Sequence, residues 1–197
     1  MPEDEEKFDN YLKDLQTTLR SATNLPGLYQ MIVNAPFSSR VEAASLYLGI
    51  VVLLIENKNK KEIDRVALSN TELANNTKTV SVVPFEDIKI PLSDPENIIS
   101  VAIRDNQHKS TTDWRYLFTP VLAEMQARIN QAAGGIACSY VYPIHAGKKR
   151  GALIFSYYQY LHAIGELHED FMERYSAFVS AELTRLSRVS SSKVNKV

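Results

Sequence analysis

Asp113, Trp114, Arg115 and Tyr116 follow one another in the chain and form the stretch best equipped for chemistry. An indole plane between a carboxylate and a guanidinium can stack a flat or acyclic apolar body while Arg115 meets an anionic group and Asp113 a cationic one. The same residues also permit an Asp113 to Arg115 ion pair with Trp114 plugged into a core, and the sequence leaves both arrangements open. Tyr140, Tyr142 and Tyr157 add phenols to otherwise apolar segments. Apolar walls carrying a few polar groups describe a small-ligand site, although tyrosines in half-buried strands also pack without binding anything.

Other chemistries find less support. The one cysteine, Cys138, stands among apolar residues, where a thiol behaves as a small inert hydrophobe rather than a redox sensor. His108, His145, His162 and His168 form no i, i+4 pair and no His-Glu-x-x-His pattern. Neither a Gly-x-Ser-x-Gly nucleophile turn nor a glycine-rich phosphate loop is present; the adjacent pair Gly134-Gly135 serves better as a helix stop. The expectation is a binding protein and not an enzyme, with no catalytic residue, no metal and no cofactor.

The whole chain sets further bounds. Its 197 residues, 45% of them hydrophobic, suit one well-packed domain with extended termini. With 22 basic and 23 acidic residues the net charge is -1, and no one-sign block offers a footprint for a phosphate backbone, so nucleic acid is excluded as a partner. The N-terminus MPEDEEKFDN is acidic where a secretory signal is basic and then apolar, and one cysteine makes no internal disulfide. The longest apolar run, Leu46 to Ile55, falls well short of the roughly 20 residues that cross a bilayer as a helix. These features predict a cytoplasmic protein without a membrane partner.

The elements that must position the candidate residues centre on IACSYVYPIHAGKKRGALIFSYYQY, Ile136 to Tyr160. Ile136, Cys138, Tyr140, Tyr142 and Ile144 alternate on one face of a first strand, and Leu153, Phe155 and Tyr157 on one face of a second, with the turn at Gly147, Lys148 and Lys149. Ala137, Val141, Ala152 and Ile154 make the opposite faces apolar too, which places this hairpin mid-sheet under other elements. Upstream, Phe8, Tyr11, Leu12, Leu15, Leu19 and Ala22 stripe a helix over Glu3 to Thr23. A short helix follows Leu25-Pro26-Gly27 and ends at Asn34-Ala35-Pro36. Ala43 to Ile55 reads as a long strand, Glu56 to Glu62 as a charged turn, and Ile63 to Leu68 as the returning strand. Asn70 to Asp87 reads as a loop with a short strand at Val80 to Val83, and Ile88 to Leu92 as another strand.

Asp94 as cap and Pro95 in the first turn predict a helix to about Asp105. His108 to Thr112 is extended. Thr119-Pro120 repeats the device ahead of a helix striped by Leu122, Met125, Ile129 and Ala132 up to Gly134. A last helix starts near Gly165 and carries Phe171, Met172, Tyr175, Phe178, Val179, Leu183 and Leu186. Stripes this long at both termini, Phe8, Leu12, Leu15 and Leu19 with Phe178, Leu183 and Leu186, predict a homodimer through the terminal helices.

This order resembles the GAF fold of small-molecule sensory domains over about Leu25 to Leu186. The resemblance rests on AASLYLGI at Ala43 to Ile50, DPENIISVAIRDNQ at Asp94 to Gln107, GGIACSYVYPIHAGKKRGALIFSYY at Gly134 to Tyr158, and ELHEDF at Glu166 to Phe171. PAS and other profilin-like sensors share the same plan of strands around a pocket. The resemblance implies an α+β fold, a central antiparallel sheet of five to six strands flanked by helices, with long N- and C-terminal helices. It divides the chain into an amphipathic helix at 1–24, a sensory domain at 25–186 and a frayed tail at 187–197. It also implies a regulatory role, binding a small molecule and relaying the result along the terminal helices. Asp113 to Tyr116 would then lie on the connection beside the pocket, and Tyr140, Tyr142 and Tyr157 on its floor. The alternative is an interaction module whose pocket is closed. Subtype features are missing: no Asn-Lys element of cyclic-nucleotide binders, no cysteine placed for a bilin, and no second cysteine for methionine-sulfoxide reduction.

Overall fold

Apolar residues on both faces of the same strands demand a sheet covered on both sides, and a computed structural model describes how the cover is built. It describes residues 2–160 and 163–194, with side chains over 5–160 and 163–189. In chain order come α1 (Pro2–Arg20), α2 (Leu25–Asn34), α3 (Arg40–Ser45), β1 (Leu48–Asn57), β2 (Glu62–Leu68), α4 (Glu72–Val80) and β3 (Lys89–Pro91). There follow α5 (Ile98–Asp105), β4 (Lys109–Thr111), α6 (Arg115–Phe118), α7 (Glu124–Ala133), β5 (Cys138–Ala146), β6 (Lys149–Tyr157) and α8 (Glu166–Val194). The strands form one antiparallel sheet of 6 in the order β3-β2-β1-β6-β5-β4. The α+β class and the central hairpin agree with the sequence. Gly147 opens the two-residue turn at φ 66, the sign that a type II′ hairpin requires of its first central residue.

Strand alternation separates two cores. Val51, Leu53, Ile55, Tyr140, Leu153, Phe155 and Tyr157 face α1, α2 and α8. Ile50, Val52, Leu54, Val141 and Ile154 face the shorter helices α4 to α7. On the first face the rings interlock. Tyr11 stacks on Phe171 at 6.1 Å, Phe171 on Tyr175 at 5.6 Å, and Phe155 meets Phe171 edge-on at 5.8 Å. The Tyr11 and Tyr175 hydroxyls donate at 2.7 Å to the carbonyls of Pro36 and Ile32 respectively, so these two polar tips deep in the core are satisfied.

Several local expectations are corrected. The strand starts at Leu48 rather than Ala43, because 40–45 coil into α3 and Tyr47 turns the chain at φ 52. The polar stretch after Asn70 is helical: the Thr71 hydroxyl caps α4 by accepting from the Ala74 amide, and small Ala74 and Thr77 form its buried face. No strand forms at Val80 to Val83, where Val82 is 72% exposed. Helix α5 is capped by Asn97, which accepts from the Ile99 and Ser100 amides, while Asp94 instead closes a turn through the Glu96 and Asn97 amides. Helix α7 begins at Glu124 and buries Ala127 and Asn130, leaving Met125 69% and Ile129 45% exposed. Its rotation follows Asn130, whose amide donates to Ser81 and whose carbonyl accepts from Thr77.

The terminal stripes are also reassigned. Leu12, Leu15, Leu19, Leu183 and Leu186 are buried within the chain, where α1 lies along α8, and Phe8 and Phe178 pack against the same core. A stripe already covered internally cannot also face a second copy, so the reason for expecting a homodimer there is removed. Helix α8 continues to Val194 through the segment expected as a tail, and 195–197 lie outside the described residues. Among the described residues no helix is long and apolar enough to cross a membrane.

Candidate functional site

On the face covered by short helices, packing leaves a cavity of about 230 Å³. Its apolar wall comes from Ile50 and Val52 of β1, Leu68 of β2, Val83, and Trp114, Phe118 and Leu122. A β-bulge shapes it. Pairing of β1 with β2 runs Val52 to Leu68, Leu53 to Ala67 and then Leu54 to Arg65, so Val66 is the extra residue. Strict alternation would send Arg65 and Ala67 to one face. The bulge instead turns Val66 and Ala67 to the terminal-helix core and lets Arg65 and Leu68 both line the cavity. Re-aiming a side chain in this way is a common use of bulges beside functional sites.

Arg65 is the chemically distinctive group. Its guanidinium carbon lies 4.1 Å from the Phe85 ring centroid and 5.5 Å from that of Phe118. Its Nε is fully buried without a hydrogen-bond partner. Burial pulls its pKa down to about 9 while nearby Glu86 pulls it back up, and the group stays cationic at neutral pH. Exposed Lys78 and Glu86 stand at the rim. The other polar lining is internally satisfied: Thr77 donates to the Asn130 carbonyl, Asn130 to Ser81, and Ser81 to the Val83 carbonyl.

The seven residues expected to form a site are divided by the sheet. Trp114 is buried and lines the cavity, with its Nε1 donating to Ser139 Oγ at 2.9 Å and Ser139 in turn 2.8 Å from Ser156 Oγ. Asp113 and Arg115 pair at 3.3 Å, and Asp113 also takes Arg128 at 2.9 Å. Burial raises the Asp113 pKa, but hydrogen bonds from Arg128 and the Arg115 amide outweigh it and hold the carboxyl below its usual range. Arg115 further meets Glu124 and the Tyr116 hydroxyl, so neither charge is turned to the cavity. Tyr140, Tyr142 and Tyr157 lie on the opposite face, Tyr140 edge-on to Tyr157 at 6.0 Å. They are no floor for this cavity, because alternation from Cys138 sends 138, 140 and 142 toward α8.

Cys138 is buried, and burial pushes its thiol up to about 11, which suits a quiet side chain. Ile136 joins the cavity-side core rather than the face of Cys138. His108 stacks on Tyr142 at 5.1 Å and His168 packs against Tyr157, whereas His162 lies outside the described residues. Among the described residues no group of His, Cys, Asp and Glu could hold a metal ion. Reading the sequence passed over Arg65, Phe85, Phe118 and Lys78. The available signal was an arginine at the apolar-face position of EIDRVAL, between Ile63 and Ala67.

Neither a protein-family model nor a curated protein matches the chain. Solved structures do. The GAF domain of a phosphoenolpyruvate-protein phosphotransferase from Coxiella burnetii superposes with a TM-score of 0.64 at 13% identity, covering 93% of this chain and 96% of that one. Free methionine-R-sulfoxide reductase from Neisseria meningitidis, solved with its substrate, gives 0.60 at 10% identity over 92% and 91%. A phycoerythrobilin-bound GAF domain of a cyanobacterial phytochrome gives 0.55 at 12% identity over 91% and 95%. The chain has a GAF-like fold.

Proposed function

We propose that this chain is a sensory or regulatory domain that binds a compact small molecule in the cavity beside Trp114. The carrying observation is the partly enclosed, mostly apolar space on the face of short helices, below the roughly 300–1,000 Å³ of pockets for drug-sized ligands and therefore suited to a smaller body. Two of the similar solved structures, the reductase and the phytochrome GAF domain, hold a substrate and a bilin respectively, which supports a binding role without supplying the ligand here. Cys138 faces away from the cavity, which favours binding over thiol chemistry.

The relay to the terminal helices has a physical route. Trp114 holds Ser139 of β5, Ser139 meets Ser156 of β6, and the neighbouring Tyr140 and Tyr157 form the surface on which α8 rests. A ligand that displaces the indole pulls on both central strands.

A library of nucleotides, amino acids, purines and short-chain acids, screened by Trp114 fluorescence and thermal shift, tests the reading. A ligand at 100 times its dissociation constant raises stability by about 2.7 kcal/mol. Leu122→Trp, which fills the cavity, should abolish that gain, whereas Arg115→Ala should keep it because Arg115 is engaged with Asp113. Binding that survives Leu122→Trp would place the site elsewhere.

A further inference from the structure

We infer that the cavity takes a compact monocarboxylate with an apolar body, and that Arg65 is its anion receptor. The inference rests on the cavity being a ligand site and adds the ligand's chemical class. The half-buried arginines 115, 150, 174 and 185 each have a carboxylate partner, namely Asp113, Glu56, Asp9 and Glu182. Arg65, among the described residues, has neither a hydrogen bond nor an ion pair; its interactions are the two phenylalanine rings and a longer-range attraction to Glu86. Aromatic rings attract the cation without taking conventional hydrogen bonds from it, so the N–H groups of the guanidinium remain for an acceptor. One of those groups, at Nε, is buried and unpartnered, a condition that costs free energy until an anion arrives.

The surroundings define the rest of the molecule. A planar carboxylate matches the fork of one guanidinium, and Arg65, half-buried with its Nε wholly buried, supplies one charge at the cavity, while the exposed rim residues Lys78 and Glu86 carry opposite signs. A phosphate dianion would call for more donors than this. Beyond Arg65 the wall is Trp114 set edge-on to Phe118 at 5.3 Å, with Ile50, Val52 and Leu122, a surface for a single ring or a branched aliphatic group.

Benzoate, benzamide and benzylamine serve as matched anionic, neutral and cationic probes, followed by Trp114 emission and thermal shift. Benzoate should bind at least tenfold more tightly than the other two. Arg65→Met, which keeps the aliphatic stem and removes the charge, should abolish that preference and leave the melting temperature of the unliganded protein unchanged or higher. A lower melting temperature for unliganded Arg65→Met would make the guanidinium a structural clamp between Phe85 and Phe118 and overturn the proposal. Equal binding of benzoate and benzamide, both lost in Leu122→Trp, would leave the ligand site standing and sink its anion selectivity. Absence of binding by all three probes would count against both.

Discussion

The two faces of one sheet are built in opposite ways. On one face Val51, Leu53 and Ile55 of β1 join a core covered by α2 and by the long α1 and α8, and the 29-residue α8 packs along β5 and interlocks Phe155, Phe171 and Tyr175. Ile50, Val52 and Leu54 meet α4 to α7, none longer than 10 residues, joined by loops. Short pieces bury small residues such as Ala74 and Ala127 and cannot fill the space between them. The closed face supplies stability and the looser face keeps a cavity, with an arginine at its edge that has no ion-pair or hydrogen-bond partner among the described residues.

Truncation should expose this difference most strongly. Phe155→Ala removes a fully buried ring from the interlocked face, and its expected cost is about 3–5 kcal/mol. Leu122→Ala, beside space that already exists, should lie near the lower end of the usual range, at about 2 kcal/mol. Urea denaturation of both variants checks the order; equal losses would mean that the faces are equally well packed.

Alkaline pH should act through the closed face. Burial raises the pKa values of Tyr11, Tyr157 and Tyr175 above the ordinary value near 10. Above about pH 10 the unfolded chain releases these protons while the folded chain keeps them, so the unfolded state binds fewer protons and stability falls as pH rises, by about 1.4 kcal/mol per unit for each such tyrosine. Below pH 10 the contribution is fully present. Tyr157 has a buried hydroxyl without a partner, so Tyr157→Phe should cost nothing at pH 8 and should reduce the alkaline slope. A slope identical to that of the parent protein between pH 10 and 11 would contradict the assignment.

The same contrast explains what could be read in the sequence. The alternation of Cys138, Tyr140 and Tyr142 was legible because period 2 is local, yet which core that face meets is decided by α8, far along the chain. Trp114 was legible as a residue beside the pocket from its place on the strand-to-helix connection, and it lines the cavity. Arg115 was misleading, since Asp113 two residues earlier competes for it. Helix α4 escaped because its buried side is Ala74 and Thr77, and Thr77 lies so close to Gly134 that a Cβ there would come within 2.6 Å of its hydroxyl. Arg65 escaped because its aim depends on a register shift between Leu53 and Leu54, a property of the strand pair and not of either strand.

The smallest effect gives the sharpest comparison, because it uses two adjacent residues of one strand. Val51 is fully buried against the terminal helices, and Val52 borders the cavity. Val51→Leu pushes an extra methylene into interlocked side chains, and overpacking of that kind costs about 1–3 kcal/mol. Val52→Leu pushes the same methylene toward open space, where the added contacts offset the changed shape; its stability should stay within about 0.5 kcal/mol of the parent. The second variant should nevertheless weaken any ligand found by Trp114 fluorescence, since the methylene takes volume from a cavity of about 230 Å³. Thermal denaturation of the pair, with titration of the best ligand into each, separates the roles: Val51→Leu should bind normally while folded, and Val52→Leu should fold normally and bind poorly. If Val52→Leu were the more destabilised of the two, the cavity would be closed in solution and the division between a packed face and a binding face would fail.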